Sequence, residues 1–263
     1  MIRSPLITVM TQAARKAARA LVRDFGEVEN LQVSLKGPAN FVSAADRRAE
    51  EILHAELSKA RPTFGFLMEE RGRIAGKDAS HVWIVDPLDG TTNFLHGIPL
   101  FAISIGLERD GTLVAGLLFN PITDETFVAE RGKGAFLNDR RLRVAARREL
   151  ADTVISCGLP HRGGRVDLDL FRKELTKVQP QVAGLRRTGA AALDMAWVAA
   201  GRFDGFWERG LSPWDLAAGL VILREAGGFA TDIDGGDAVL EKGSVVAGNE
   251  FIHRALLGLL TTA

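Results

Sequence analysis

The sequence predicts an α/β protein in which helices and mixed sheets are layered as a sandwich. Three observations point there. Short apolar runs bounded by Gly, Asp and Pro alternate with segments of helical period along the 263 residues. The alternation occurs twice, in residues 1–150 and again in 151–263, two halves expected to act as one functional unit. An Asp-Gly pair between apolar runs, at Asp110-Gly111, marks a hairpin, so at least part of the sheet is antiparallel.

The elements follow in order. Pro5 to Met10 is apolar but too short for a signal-peptide core, and basic residues follow it instead of a small-residue cleavage site. Ala14, Ala17, Ala18, Leu21, Val22 and Phe25 recur at helical spacing opposite Arg15, Lys16, Arg19 and Arg23, an amphipathic surface helix. A second helix is expected over Asp46–Lys59, then a strand over Phe64–Met68 ending at Glu69-Glu70, then a polar loop over Arg71–Ser80. Val82–Val85 reads as a buried strand that ends on Asp86. Pro87 blocks further pairing, Gly90 turns the chain, and Thr91-Thr92 can open a helix. Strands over Phe101–Leu107 and Leu113–Phe119 flank the Asp-Gly turn, and Phe127–Ala129 and Ala135–Leu137 flank another at Arg131–Gly134.

After the basic Arg140–Arg148 segment, strands are expected at Val154–Cys157, Gly205–Glu208, Phe229–Thr231 and Val245–Ala247. Helices are expected at Leu168–Val178, Ala190–Ala200, Pro213–Ala226 and Phe251–Leu260. The third of these has Ser212 as cap and Pro213 in its first turn, and stops at Gly227-Gly228.

Composition narrows the function classes. Formal net charge is +0, so no global field draws the chain to nucleic acid or to an anionic membrane. Hydrophobic residues make up 46%, yet no run reaches the length of a membrane span. The lone Cys157 excludes an intramolecular disulfide and fits a reducing cytoplasm; it reads as a small buried residue. The histidines, at positions 54, 81, 96, 161 and 253, show no zinc spacing and read as structural or surface residues.

Acids fall at strand ends and helix starts: Glu69 with Glu70, Asp86, Asp89 and Asp215. Each has an ordinary alternative. Glu69-Glu70 can be a solvated strand end, Asp86-Pro87 and Asp89-Gly90 are turn dipeptides, and Asp215 can be a cap partner. The dense run from Asp86 to Phe94 favours chemistry. It sets two carboxylates beside a helix start whose first amides lack partners. A phosphate would be repelled there unless divalent cations intervened. Hard oxygen donors without clustered His or Cys favour Mg²⁺ or Mn²⁺ over Zn²⁺.

The run Asp86-Pro87-Leu88-Asp89-Gly90-Thr91-Thr92-Asn93-Phe94 resembles the signature of the inositol monophosphatase family. Trp214-Asp215-Leu216-Ala217-Ala218-Gly219, continuing to Glu225-Ala226-Gly227-Gly228, resembles its second signature, and the element order matches from about Ala13 to Leu260. The bacterial branch, the SuhB type, is the most similar. The resemblance implies the layered αβαβα sandwich shared with fructose-1,6-bisphosphatase, a cytoplasmic homodimer, and lithium-sensitive hydrolysis of inositol monophosphate by metal-activated water. It implies that Glu69, Asp86 and the Leu88 carbonyl hold one Mg²⁺, with Thr91 close by. Asp86, Asp89 and Asp215 would hold a second, and Glu69 would share a weaker third. Asp46 would pair with Thr91 to orient the attacking water. The Gly90 and Thr91 amides would cradle phosphate, and Asp89, Gly189, Ala190, Ala191 and Glu208 would contact the ring. Ala190 stands where a hydroxyl residue is common, and Asn40 where an acid is frequent.

Related phosphatases acting on histidinol phosphate, fructose 1,6-bisphosphate or 3′-phosphoadenosine nucleotides share such a core. Glu208 suits a polyol, since a carboxylate pairs well with vicinal hydroxyls. The bacterial branch also implies a different role, as a protein partner in transcription complexes. Arg140, Arg141, Arg143, Arg147, Arg148, Arg186 and Arg187 are the candidate surface for that role, and neutral overall charge argues against tight binding of nucleic acid. The small residues of Ala190–Ala200 permit close helix packing against a neighbour, either within the subunit or across a dimer.

Overall fold

The computed structural model describes residues 4–27, 33–37, 40–160 and 167–262. In chain order the elements are α1 (Pro5–Phe25), β1 (Val33–Gly37), β2 (Asn40–Ser43), α2 (Ala44–Ala60), β3 (Phe64–Met68), β4 (Gly72–Ile74), β5 (Asp78–Asp89), α3 (Thr91–Leu95), β6 (Ala102–Arg109) and β7 (Thr112–Asn120). Then come β8 (Glu125–Glu130), β9 (Gly134–Leu137), β10 (Arg140–Arg141), β11 (Val154–Cys157), α4 (Leu168–Val178), β12 (Gly184–Arg186) and α5 (Ala191–Ala199). The chain closes with β13 (Gly205–Arg209), α6 (Pro213–Glu225), β14 (Phe229–Thr231), α7 (Val239–Lys242), β15 (Ser244–Gly248) and α8 (Glu250–Leu260).

Among the described residues the strands form three sheets. A large one runs β10-β9-β8-β7-β6-β5-β3-β4, and a smaller one runs β12-β11-β13-β15-β14. Both are mixed: β3 lies parallel to β5 and β11 parallel to β12 and β13, while the other pairings are antiparallel. The third is the two-stranded β1–β2 ribbon.

Among the described residues three large apolar cores fill the αβαβα order that the resemblance implies, the second of them lying on both sides of the middle helical layer. In the first core Met10, Ala17 and Leu21 of α1 and Leu53 and Leu57 of α2 cover one face of the large sheet, at Trp83, Val85 and Ile105. The second joins the opposite face of that sheet, at Leu118 and Phe127, to α5, α6 and the near face of the smaller sheet, at Phe206 and Val245. The third packs α4 and α8 on the far face, at Ile155, Trp207 and Val246.

Several expectations need correction. The first helix begins at Pro5, capped by the Ser4 hydroxyl, so the apolar Pro5–Met10 run forms its opening turns. The second begins at Ala44, not Asp46. The segment Arg71–Ser80 is not a plain loop. Gly72, at φ +69°, reverses the chain so that β4 returns along β3, and β5 already starts at Asp78. Nor does Pro87 end β5: the strand continues to Asp89, but its register with β6 shifts between Asp86 and Asp89, where proline offers no N–H. Short β12 and α7 carry too few residues to show a period in the sequence. The small residues of α5 are consumed inside the subunit, where all but Trp197 are buried and Gly219 of α6 makes room for Met195.

The close approach of α6 to the large sheet rests on two glycines. Gly106 and Gly116 are cross-strand partners in β6 and β7. A Cβ at Gly106 would come within 2.8 Å of the Ala217 methyl, and one at Gly116 would overlap the Ala218 carbonyl oxygen. Gly116→Ala therefore should cost about 1–3 kcal/mol of stability. It should cost more than Gly106→Ala, because backbone yields less readily than a methyl; paired thermal melts of the two variants check the order.

Candidate active site

The site lies where β3 and β5 end and where α3, α5 and α6 begin. Asp86 is buried near the end of β5, and its Oδ1 accepts the Leu88 amide at 2.8 Å, which folds the segment around the register shift. Asp89, half-buried, accepts the Ala192 amide at the start of α5 through Oδ2, at 2.8 Å. Asp215 reaches the same place from α6. Its Oδ2 accepts the Ser212 amide at 2.7 Å and completes a capping box, so the cap role read from the sequence is real. One carboxylate oxygen suffices for that, and the Ser104 hydroxyl donates to the Trp214 carbonyl at 2.9 Å, fixing the helix start beside Asp86. Ser104 is the cross-strand partner of Asp86.

Carboxylate oxygens of Asp86, Asp89 and Asp215 all lie within 4.8 Å of one another. Asp46, Glu69 and Glu70 form a second triad of the same span. Glu69 thus groups with Asp46 while its charge still acts on Asp86 and Asp89. The segment after β3 is held by Glu50 of α2, whose Oε2 accepts the Glu70 amide at 2.8 Å and whose Oε1 meets Arg71 at 3.3 Å.

Burial and mutual repulsion dominate the electrostatics. Burial first, then the charges of Glu69, Asp89, Asp215 and Asp46, push the Asp86 carboxyl well above its ordinary range. Burial and Asp215 do the same to Asp89, against the bond from Ala192. Burial lifts Asp215 to about 6. Glu208 is also pushed well up, by burial and then by Asp194, Asp215 and Asp89, with Arg187 opposing. Such a cluster of hard oxygens, held together at the cost of repulsion, fits a hard divalent cation. The two triads contain no His or Cys.

Beside the acids, Gly90 is the N-cap of α3 with φ +90°, and no side chain caps that helix. The Thr91 hydroxyl donates to the Leu88 carbonyl at 3.0 Å, placing both by the acidic triad. Gly90 also touches the ring-contact segment expected from the sequence: a Cβ there would stand 3.1 Å from that of Ala190. Gly189 takes φ +84°, Ala190 and Ala191 are buried, and the Glu208 side chain occupies the space a Cβ on Gly158 would need.

A profile of the Inositol monophosphatase family matches residues 2–263. The chain belongs to that family. An inositol-1-monophosphatase of Mesorhizobium japonicum is 66% identical over 98% of this chain and 96% of that protein. A Nus factor SuhB of Pseudomonas aeruginosa is 44% identical over 96% of this chain and 94% of its own length. Among solved structures, the extragenic suppressor protein suhB of Bartonella henselae superposes with TM-score 0.96 at 60% identity, covering 99% of this chain and all of that one. The family fold is thus the one described above, and this family member is a phosphatase by descent.

The cysteine and three of the histidines are structural. Cys157 is buried, which pushes its thiol up to about 12, so it is no nucleophile. His54 packs on Phe66, His81 stacks on Phe64, and His253 pairs with the Thr231 hydroxyl, whereas His161 lies outside the described residues. The side chain of Asn40 lies outside them too. Of the basic residues, Arg147 is paired with Asp204, Arg148 lies over the Phe251 ring, and Arg186 and Arg187 are exposed. Sequence reasoning missed Ser104, Glu50, Thr188, Ala192 and Asp194. Ser104, Glu50 and Ala192 act through bonds to or from backbone across long chain separations, for which the sequence carries no local signal, while the side chains of Thr188 and Asp194 bond each other six residues apart.

The raised carboxyls set a pH dependence. A carboxyl that holds its proton more tightly when folded adds stability while protonated and loses it as pH rises through the folded value. The metal-free protein should therefore weaken as pH climbs from about 4 through about 6, the Asp215 value. A hard divalent cation suits the folded, deprotonated cluster, so adding one such as Mg²⁺ should raise the melting temperature more at pH 8 than at pH 5. Thermal melts with Mg²⁺ and with chelator at both pH values check this; an equal gain at pH 5 would contradict it.

Proposed function

We propose that the chain is a cytoplasmic, Mg²⁺-dependent phosphomonoesterase that hydrolyses inositol monophosphate to inositol and phosphate. One observation carries the reading: three repelling carboxylates, from β5 and α6, converge beside the uncapped start of α3. Relatives named inositol-1-monophosphatase support the substrate.

Asp86, Asp89 and Asp215, with Glu69 and the Leu88 carbonyl, would hold two or three Mg²⁺ ions, and Mn²⁺ is a chemical substitute. When bound, the ions supply Lewis-acid neutralisation of the phosphoryl oxygens and of charge developing on the leaving alcohol. The residues do the remainder. The Gly90 and Thr91 amides orient the phosphate at the head of α3. The Thr91 hydroxyl already donates to Leu88, which leaves its lone pairs to accept from a water. Buried Asp46, near the same acids, takes up the proton of that water for in-line attack. Asp89 and Glu208, with Gly189, Ala190 and Ala191, receive the ring hydroxyls. No covalent intermediate on the protein is required.

The Nus factor SuhB relatives favour a second, separable role in binding a transcription-complex protein. A homodimer is proposed for both roles. Asp89→Asn should lower kcat on inositol monophosphate by about 100-fold or more, since it strips one anionic oxygen from the charge cluster, without unfolding the chain. Turnover by wild type and variant on inositol monophosphate, histidinol phosphate, fructose 1,6-bisphosphate and 3′-phosphoadenosine nucleotide checks both substrate and site. Faster turnover of any of the last three would displace inositol monophosphate, and undiminished activity after chelation would sink the metal reading.

A further inference from the structure

Asn93 lies one turn beyond the phosphate amides and is buried. Its Nδ2 spends both protons on carbonyl oxygens, donating to Leu100 at 2.7 Å and to Thr188 at 2.8 Å. Thr188 in turn donates its hydroxyl to Asp194 Oδ2 at 2.7 Å, and its Oγ1 accepts the Ala190 amide at 3.2 Å. Farther along, the Ala192 amide is held by Asp89. The segment from Thr188 to Ala192 is therefore pinned at both ends by side chains of one short run, Asp89 and Asn93. Space is matched to the pin: a Cβ on Gly189 would stand 3.1 Å from both Asn93 amide atoms. Only an uncharged amide suits this place, because a carboxylate would set lone pairs against two carbonyls.

We infer that Asn93 is a positioning residue that fixes the segment Gly189–Ala192 against the phosphate cradle, and so sets the enzyme's preference for hydroxyl-bearing phosphate esters. This deepens, and rests on, the reading that the segment contacts the substrate's hydroxyls. The pin ties the part of the site that holds phosphate to the part that holds the alcohol. Loosening it separates the two parts and leaves the cation cluster in place. An ester with hydroxyls to place should suffer most, since misplacement by about 1 Å costs heavily in an oriented reaction.

The test compares inositol 1-phosphate with 4-nitrophenyl phosphate, an ester without hydroxyls, in wild type, Asn93→Asp and Thr188→Val. Both variants should lose about tenfold more kcat/KM on inositol 1-phosphate than on 4-nitrophenyl phosphate, chiefly through KM. The Mg²⁺ concentration for half-activation should stay within about twofold of wild type. Equal loss on both esters, a shifted Mg²⁺ requirement, or no loss on either would overturn the assignment. Should Asn93→Asp fail to fold, Asn93→Ala takes its place, since it removes both donated bonds without adding charge, whereas Thr188→Val keeps the carbonyl that Asn93 holds and reports on the inner bonds of the segment. Failure of the functional reading is separately visible, as a wild type that ignores inositol 1-phosphate. The pin is then judged by the same ratio on the best hydroxyl-bearing ester among the four named above.

Discussion

Gly106 and Gly116 face each other across β6 and β7 and leave a strip of bare backbone on which Ala217 and Ala218 of α6 rest. This contact sets the distance between Asp215 and the acids of β5, because the helix that bears one is pressed on the sheet that bears the others. Ser104 fixes the remaining freedom, since it pairs with Asp86 across the sheet and donates to the carbonyl just before Asp215. The separation of carboxylates on elements far apart in the chain is thus decided by backbone packing. The glycine contact and the Ser104 bond hold that separation against the charge of the acids.

That repulsion is the central thermodynamic fact of the site. Burial raises all three carboxyls, and neighbouring acids push Asp86 and Asp89 further, so the fold carries a local penalty at neutral pH that a hard divalent cation would remove. The surrounding structure supports the penalty with backbone bonds to individual oxygens: Leu88 to Asp86, Ala192 to Asp89, Ser212 to Asp215. Each of these bonds uses one carboxylate oxygen. A ligand that is half satisfied by the protein stays in place while the other half remains available for chemistry.

The sequence made much of this legible. The hairpins, the Ser212-Pro213 helix start, and α4, β11 and β14 were readable because turn chemistry and periodicity are local. The Asp86–Phe94 run was readable because so many special residues in so few positions have few other uses. What stayed hidden was non-local or too short. Gly72 and β4 required a pairing partner to become meaningful, and Pro87 looked like a strand stop because the register shift that accommodates it belongs to β6 as much as to β5. Ser104 is a single polar residue in an apolar run, and nothing nearby in the chain indicates that it bonds the Trp214 carbonyl.

Asp215 serves two roles at once. As a cap partner it closes a box with Ser212; as a member of the acidic triad it lies within 4.8 Å of Asp86 and Asp89. The cap explains the position, because a helix start holds its third residue in one rotamer and one place. A free carboxylate on a loop would turn away from its like-charged neighbours toward solvent. Fixed at the first turn of a helix that glycines hold against the sheet, it has no such escape. The same bond that stabilises the helix therefore compels the acid to stay where only a cation makes it comfortable. In this fold an ordinary capping motif is the means by which charge is concentrated.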